Sequence, residues 1–336
     1  MGGGNYSANI YSNSTQSKIN AGANFGYSKQ TRGQGRGAWK AHEDLNPKKV
    51  AGAGSPLAGQ IVRESRDGVD HPNSVPIAIF LDVTGSNVAD AARVQAKLNS
   101  LFGLLLRKGY VEDPQILIGA YGDAKTDSVP LQVSQFESDN RVDDALDKLF
   151  LEGGGGGNGG ESMGIAAYYL AHHTATDALE KRNKKGYAFF VADEISHVPA
   201  AREIIDIVGD EEPYGRLELA DVFKDTQEKW EVFVLINNNI SAQGQGSVAF
   251  YKKYFGNDHV LVLETPESVV ETIGVVIGLQ EGTIDIDEAE DDLIESGSDA
   301  VAIKGAISAV KGLSGIVRPA VSGAVKVADD TGATRL

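Results

Sequence analysis

The chain has 336 residues, of which 41% are hydrophobic and 23% are charged, which is the composition of a folded protein. It has no cysteine, so disulfides, thiolate metal sites and cysteine nucleophiles are excluded. Its formal net charge of −16 disfavours binding of nucleic acid by the whole surface. We see neither a signal peptide nor a run of roughly 20 apolar residues that would cross a membrane. The sequence therefore predicts a cytoplasmic protein that has no transmembrane span and binds no nucleic acid.

Residues 1–73 are rich in Gly, Asn, Ser, Gln and Lys, and they show neither a helical nor a strand period. Residues 1–50 carry seven Lys or Arg side chains against two carboxylates, a net charge of +5. Both features predict an extended basic arm. The arm also contains more aromatic residues than a linker needs: Tyr6, Tyr11, Phe25, Tyr27 and Trp39. We expect them to pack against the main domain or against a neighbouring subunit.

Apolar strands alternate with amphipathic helices from residue 74 to residue 281. Residues 75–81 form a continuous apolar run, as expected of a strand buried on both faces of a parallel sheet. Residues 88–109 follow with helical spacing of their apolar side chains. Further strands are predicted at 116–121, 131–136 (an edge or hairpin strand), 187–192, 232–236 and 260–263, and further helices at 139–150, 161–181, 200–208, 217–229 and 266–280. This alternation predicts an α/β layer fold with a parallel sheet, whose binding site lies at the carboxyl ends of the strands.

The C-terminal part divides into an acidic linker, residues 282–299, and an amphipathic tail, residues 300–336. In the tail, basic side chains recur every seven residues beside aliphatic ones, at Lys304, Lys311 and Arg318. This spacing predicts an amphipathic helix. We favour docking of this helix to a partner, and next an intramolecular cover for the sheet domain. Contact with a membrane surface is the weakest alternative, because the chain is acidic and the helix lacks large aromatic anchors.

A short polar loop follows the first predicted strand. Asp82 ends the strand, and Thr84 and Ser86 expose hydroxyls on the same side of the loop as the carboxylate. One carboxylate and two hydroxyls form an oxygen-only ligand set, which suits Mg²⁺ or Mn²⁺. Ca²⁺ is less favoured because it prefers more carboxylate oxygens. The loop therefore predicts a divalent-metal site at the carboxyl end of the strand.

Residues 80–86 resemble the Asp-x-Ser-x-Ser element of the metal-ion-dependent adhesion site in von Willebrand factor A domains, with Thr84 where most members have Ser. The resemblance covers about residues 74–281, where the order of strands and helices also fits. It implies a three-layer, Rossmann-like α/β fold with a central, mostly parallel sheet, to which this chain adds the N-terminal arm and the C-terminal helix. It also implies a non-enzymatic, metal-dependent protein-binding module, in which an Asp or Glu of a partner completes the coordination of the metal.

The resemblance implies further ligands beyond this loop. Asp193, at the end of a later strand, stands where the family has another carboxylate, although a helix N-cap is the alternative. Residues 153–160 form the glycine-rich run in which the family has a Thr ligand; no Thr is present, so Asn158, Glu161 or a water would supply the oxygen. Glu161 is equally compatible with a helix-start carboxylate. Asp123 is either a hydrogen-bond partner of a ligand or a turn residue. The expected partner-binding loop consists of Gly156, Gly157, Gly159 and Glu194.

Other chemistries fit the sequence less well. The glycine run is no phosphate-binding loop, because Glu161 and Ser162 follow it where Lys and Ser or Thr are required. His172 and His173 are adjacent, so they face different sides of a helix and do not both bind one metal. No nucleophile-elbow sequence supports a Ser-His-Asp triad, and no general base is evident beside the metal loop. We therefore expect no enzyme.

One alternative function stays open on the sequence alone. Together with the metal loop and the glycine run, residues 63–67, 71–74 and 104–110 resemble a group of uncharacterised bacterial and phage proteins. In this alternative the arm and the terminal helix join copies, or different subunits, into a larger assembly such as a phage particle formed in the cytoplasm. The metal site of such a structural subunit would only stabilise the fold or be vestigial.

Overall fold

A six-stranded sheet forms the middle layer of the computed structural model, which describes residues 17, 18, 20, 22, 24–85, 88–153, 159–237, 242–311 and 313. The strands are β1 (Arg63–Ser65), β2 (Ser74–Asp82), β3 (Asp113–Tyr121), β4 (Leu131–Val133), β5 (Thr174–Thr176), β6 (Gly186–Ala192), β7 (Trp230–Asn237) and β8 (Val260–Leu263). The helices are α1 (Gly26–Gly33), α2 (Val88–Phe102), α3 (Arg141–Asp147), α4 (Met163–His172), α5 (Asp177–Arg182), α6 (Ala201–Glu203), α7 (Leu219–Lys229), α8 (Ala242–Phe255), α9 (Val269–Glu281), α10 (Ile286–Glu295) and α11 (Ala300–Lys311). A π-helical turn follows α2 (Gly103–Arg107) and another follows α6 (Ile204–Val208).

The large sheet has the strand order β4-β3-β2-β6-β7-β8. Its strands are parallel except for the short edge strand β4, which is antiparallel to β3. From β2 the chain passes outward through β3 to the edge strand β4. It then returns to β6, beside β2, and passes outward through β7 to β8. The direction of winding therefore reverses between β2 and β6, which is where open α/β sheets form a crevice for ligands.

Side chains of β2 point alternately into two hydrophobic cores. Ile77, Ile79 and Leu81 lie in the first core, together with residues of α2, α3, α9, α10 and α11. Ala78 and Phe80 lie in the second core, together with residues of α4, α7 and α8. Because both faces of the strand are buried, its sequence is continuously apolar instead of alternating. Helices thus cover both faces of the sheet, and the predicted three-layer α/β fold is confirmed.

The helix predicted at residues 161–181 is interrupted. α4 ends at His172, residues Thr174–Thr176 form β5, and α5 begins at Asp177. β5 pairs in parallel with β1, a strand contributed by the N-terminal arm. Threonine favours strands through its β-branch, but the partner strand lies far away in the sequence. The helical pattern of the sequence therefore continues through residues 174–176, but pairing with β1 makes these residues extended.

Helix α8 was absent from the sequence-based prediction. Gly244 and Gly246 lie in its first turns, and glycine is among the poorest helix formers. Tyr251 and Phe255 lie further along the same helix and are buried in the second core. Tertiary packing of these aromatic rings, more than intrinsic propensity, therefore stabilises α8.

The described part of the N-terminal arm is folded onto its own domain instead of being extended, and packing against the main domain is one of the two placements expected for its aromatic residues. Phe25 precedes the short helix α1, Leu45 ends the second of two 3-10 turns that follow this helix, and both are buried in the first core. Arg63, in β1, has no exposed surface. Its guanidinium donates hydrogen bonds to four backbone carbonyls, those of Asn46, Lys49, Val62 and Val133. The arm from residue 24 onward is therefore an integral part of the domain.

The acidic segment predicted as a linker contains helix α10. Asp285 and Glu288 form a capping box at its start, and Ala289 and Leu293 are buried in the first core. Helix α11 packs against α9 with Ala302, Ile303, Ala306, Ile307 and Val310 buried. Its apolar face thus covers its own domain, the second of the roles expected for it.

Residues 314–336, including Arg318, lie outside the described residues. Within the described chain, no helix combines the length and apolar character needed to cross a bilayer.

Candidate functional site

Two aspartates lie at the point where the winding of the sheet reverses. Asp82 is the last residue of β2, and Asp193 directly follows the end of β6. The register of these adjacent strands pairs Leu81 with Val191, so both aspartates belong to the carboxyl-terminal edge of the sheet. The structure therefore puts both residues at the crevice in which folds of this topology bind ligands.

Asp82 shapes the loop that follows it. The backbone nitrogen of Thr84 donates to Asp82 Oδ1 at 2.8 Å, and the Thr84 hydroxyl donates to the same oxygen at 2.7 Å. Such a turn, in which an aspartate accepts from the backbone two residues later, is a common local device. It brings two candidate ligands into contact, and both are buried. Ser86, the third candidate in this loop, lies outside the described residues.

The glycine-rich run is anchored at both ends beside the two aspartates. At its start, the nitrogen of Gly153 donates to the carbonyl of Val83 at 3.4 Å. At its end, the nitrogen of Glu161 donates to the Ile195 carbonyl at 2.9 Å, and the Glu161 carbonyl accepts from the nitrogen of His197 at 2.8 Å. These bonds carry Glu161 to the switch point of the sheet.

Only part of the predicted partner-binding loop falls within the described residues. Gly159 is exposed and has a positive φ of 79°, and Glu194 is half-buried in the loop after β6. The remaining members of the run that were singled out lie outside the described residues: Gly156, Gly157 and Asn158.

Glu161 lies among other carboxylates. It is 6% exposed, and its Oε2 atom has no hydrogen-bond partner among the described residues. Burial, and next the negative charge of Asp82, raises the pKa of Glu161 from 4.5 to about 9, and a hydrogen bond with Thr84 opposes the rise. Glu194 and Asp123 add to the increase in this pKa. A carboxyl group in such surroundings keeps its proton at neutral pH unless a cation lies beside it.

Gly160 leaves no room for a side chain. A β-carbon at this position would lie 2.9 Å from His197 Cε1 and 3.0 Å from the Ile195 carbonyl oxygen. We expect Gly160→Ala to lower the free energy of unfolding by about 1–3 kcal/mol, because backbone must shift to admit the methyl group. Urea denaturation measures the loss. The control Gly246→Ala, on α8 with no atom within 4 Å, should instead gain up to about 1 kcal/mol. Equal stability of Gly160→Ala and wild type would contradict the prediction.

Asp123 forms the turn after β3. Its Oδ1 accepts from the nitrogen of Lys125 at 3.0 Å, and its Oδ2 accepts from the Thr126 hydroxyl at 2.9 Å. The structure therefore shows the turn role that the sequence left open beside a metal-related one. The carboxylate is nonetheless buried at 1% exposure, and His197 Nε2 lies 4.0 Å from its Oδ1.

Two buried tyrosines that the sequence did not single out hold the segment around Asp193. The Tyr121 hydroxyl donates to the Val191 carbonyl at 2.8 Å, and the Tyr251 hydroxyl donates to the Glu194 carbonyl at 2.9 Å. Burial first, and then the charge of Asp82, raises the pKa of both tyrosines, so their hydroxyls remain donors. Tyr251 belongs to α8, the helix that the local pattern failed to indicate.

A second polar cluster, also missed, lies where β7 ends. Asn237 is the last residue of that strand, and its Nδ2 donates to Asp90 Oδ2. Arg93 Nη1 donates to the other carboxylate oxygen of Asp90 at 2.6 Å. Burial raises the pKa of Asp90, Arg93 opposes the rise, and the charge of Asp193 adds to it. Asp90 lies in the first turn of α2, where an acidic residue is ordinary, so the sequence carries little signal.

Among the described residues, the side-chain atoms at the switch point that could ligate a metal are oxygen atoms. Asp82, Thr84 and Glu161 lie together there. Ser86 follows Thr84 two residues later in the sequence. Across the described residues, no three Asp, Glu, His or Cys side chains are grouped so that they could hold a metal ion by themselves. The arrangement thus combines two carboxyl groups with a hydroxyl.

Solved structures of low sequence identity are similar to part of this chain. No family model matches the chain, and no curated protein matches it. The open conformation of the pilus adhesin SpaC from Lactobacillus rhamnosus GG is similar, with a TM-score of 0.43 and 11% identity over 64% of this chain and 31% of that chain. Proximal thread matrix protein 1 from the mussel byssus is similar with a TM-score of 0.41 and 11% identity, over 61% of this chain and 47% of that chain. The chain thus spans about a third to about a half of these solved proteins.

Proposed function

We propose that the chain is a binding module of the von Willebrand factor A type, in which a divalent cation beside Asp82 is completed by a carboxylate of a protein partner. The observation that carries the proposal is Glu161 Oε2, a buried oxygen without a hydrogen-bond partner among the described residues, close to Asp82 and Thr84. Neighbouring buried carboxylates are costly unless hydrogen bonds or a cation compensate them. A cation at this position removes that cost.

The ligand chemistry of the site fits Mg²⁺, with Mn²⁺ and Ca²⁺ as alternatives. Mg²⁺ prefers hard oxygen donors and usually retains several waters, so one or two carboxylates suffice. Asp82, Thr84 and Glu161 would hold the cation, with Ser86 and Asp193 completing the set. Glu161 then replaces the Thr that the family has in its glycine-rich loop. The additional carboxylate should strengthen cation binding and weaken the attraction for a partner's carboxylate, because it neutralises more of the positive charge.

We further propose that the module is non-enzymatic and cytoplasmic and that its partner is a protein. The net charge of −16 argues against nucleic acid as the partner. The alternative function, a structural subunit joined through a free arm, is less well supported. The described part of the arm is committed to its own domain through Phe25, Leu45 and β1.

Magnesium binding tests the first half of the proposal. Titration calorimetry on the full chain should detect Mg²⁺ binding, and Mg²⁺ at about 100 times its Kd should stabilise the fold by about 2.7 kcal/mol. Asp82→Asn should weaken Mg²⁺ binding at least about tenfold, as expected when a ligand charge is lost. This variant retains an oxygen that accepts from Thr84, so the turn should persist.

Asp113→Asn is the matched control. Asp113 is also a buried carboxylate, but it begins β3 at the opposite edge of the sheet, where its Oδ2 accepts from the nitrogen of Asn73 at 2.9 Å. Its substitution should lower stability without changing Mg²⁺ affinity. Equal Mg²⁺ binding by wild type and Asp82→Asn would show that the cation does not bind at this loop.

A random-peptide display selection tests the second half. Peptides are captured on the immobilised protein in Mg²⁺ and eluted with chelator. We expect the eluted peptides to share an Asp or Glu whose replacement by Asn or Gln abolishes capture. Capture that survives chelation, or selected peptides without a required acidic residue, would contradict completion of the site by a carboxylate.

A further inference from the structure

Asn237 has an amide whose orientation is fixed by its neighbours. Its Nδ2 donates to Asp90 Oδ2, and Arg93 Nη1 donates to Asp90 Oδ1 at 2.6 Å. Arg93 is held in turn by Glu267, whose Oε1 accepts from Arg93 Nε at 2.9 Å. A carboxylate that is paired with an arginine acts as an acceptor, so the nitrogen of the Asn237 amide must face it. The oxygen of the amide consequently points to the other side.

That oxygen is buried at the carboxyl-terminal edge of the sheet. Asn237 is 4% exposed, and its Oδ1 has no hydrogen-bond partner among the described residues. The register of β6 and β7 pairs Ala192 with Ile236, so the next residues, Asp193 and Asn237, leave the two strands at the same level. An acceptor oxygen without a donor costs free energy in a buried position. Among the described residues, no donor therefore satisfies this oxygen, which lies one strand away from Asp193 at the carboxyl-terminal edge of the sheet.

We propose that Asn237 is a positioning residue of the cation site, and that its Oδ1 accepts a hydrogen bond from a water bound to the cation. This inference rests on the proposed function. Mg²⁺ usually retains several waters, and water bound to a cation is a strong hydrogen-bond donor. Asn237 orients such a water without ligating the metal itself. Asp90 and Arg93 keep the amide in the orientation that this role requires.

Magnesium titrations on three variants of the full chain test the inference. Asn237→Leu has a side chain of similar size without the oxygen, and it should bind Mg²⁺ about 10- to 100-fold more weakly than wild type. The double variant Asp90→Asn, Asn237→Asp exchanges the two groups, so an amide still meets a carboxylate and position 237 keeps an acceptor oxygen that does not bond to position 90. This exchange should restore Mg²⁺ affinity to at least the wild-type value, which a merely structural role of Asn237 would not predict.

Gln115→Leu is the control for general destabilisation. Gln115 is a buried amide near the start of β3, bonded to Ser65 and to the carbonyl of Arg66 at the opposite end of the sheet. Its loss should lower stability and leave Mg²⁺ affinity unchanged.

The outcomes separate the two proposals. If wild type binds no Mg²⁺, the proposed function fails and this inference falls with it. If Asp82→Asn loses Mg²⁺ binding but Asn237→Leu stays within about twofold of wild type, only the role of Asn237 is wrong. Circular dichroism establishes that each variant is folded. Should Asn237→Leu not fold, a folded exchange variant that fails to bind Mg²⁺ overturns the inference by itself.

Discussion

Replacing Arg63 with methionine should lower the free energy of unfolding by about 3–5 kcal/mol, the range found when a buried charged group with several partners is removed. Arg63 has no exposed surface, and its partners are backbone carbonyls rather than a carboxylate. Its two shortest bonds, each 2.7 Å, reach the carbonyls of Asn46 and Lys49 in the arm. Bonds of 3.3 Å from Nε and Nη2 reach Val133 in the edge strand β4.

Two opposing effects decide the size of this loss. Burial disfavours the charged guanidinium and lowers the pKa of Arg63, so an apolar replacement removes a desolvation cost. Replacing both members of a buried ion pair by apolar groups is often neutral for that reason. Here the carbonyl acceptors cannot be replaced, and the buried carbonyls of Val62 and Val133 would lose a donor at a cost of about 1–3 kcal/mol each. The loss of hydrogen bonds therefore outweighs the gain in desolvation.

Urea denaturation measures the global effect, and hydrogen exchange shows where it arises. Protection should fall first in residues 46–62 and in β4, which the guanidinium joins. Arg141→Met is the matched control, because Arg141 is half-exposed and pairs with Glu137 and Asp139 at the surface. It should cost no more than about 1 kcal/mol. An Arg63→Met variant as stable as Arg141→Met would contradict the interpretation of Arg63 as a clamp.

In chelator, the free energy of unfolding should fall by a few kcal/mol between about pH 4.5 and pH 9, and Glu161→Gln should abolish most of this fall. The folded protein raises the pKa of Glu161 from 4.5 to about 9, so it binds this proton more tightly than the unfolded chain does. The contribution is fully present below pH 4.5 and is lost as the pH rises to about 9. Each unit of pKa difference corresponds to about 1.4 kcal/mol. Glutamine stays neutral throughout, which removes the dependence.

Denaturation midpoints over this pH range, compared between wild type and Glu161→Gln, provide the measurement. Asp82→Asn should show a smaller fall that ends at a lower pH, because the charge of Asp82 is the main cause of the raised pKa after burial. Parallel pH profiles for wild type and Glu161→Gln would mean that Glu161 does not hold its proton in the folded protein.

The parts of the fold that follow from local pattern were predicted well. Residues 75–81 were recognised as a buried parallel strand because burial on both faces leaves a continuous apolar run, and β2 spans Ser74–Asp82. Elements that depend on distant partners were missed. β5 is extended because β1 lies beside it, and α8 is helical because its aromatic rings reach the second core. Neither cause is visible within a short window of sequence.

The candidate site also contains some residues that local sequence pattern indicates and others that it does not. Asp82 and Asp193 stand out in the sequence because each directly follows an apolar run, and the sheet brings the two strands side by side. Glu161 was a candidate because it follows the glycines, but its raised pKa arises from burial beside Asp82. Asn237 and Tyr251 gain their positions from strand register and from the missed helix. Their positions are therefore visible only in the three-dimensional structure.

The pairing of β1 with β5 has a consequence for the order in which the chain folds. Val133, which accepts from Arg63, lies 70 residues further along the chain, and Thr174–Thr176 lie further still. Contacts that close such long loops form late, because the loss of chain entropy precedes the gain from the contact. On the ribosome the arm emerges before the middle of the chain, yet it docks only after that middle part has been made. The arm is thus synthesised before the segments that it needs as partners, and it reaches its place after them.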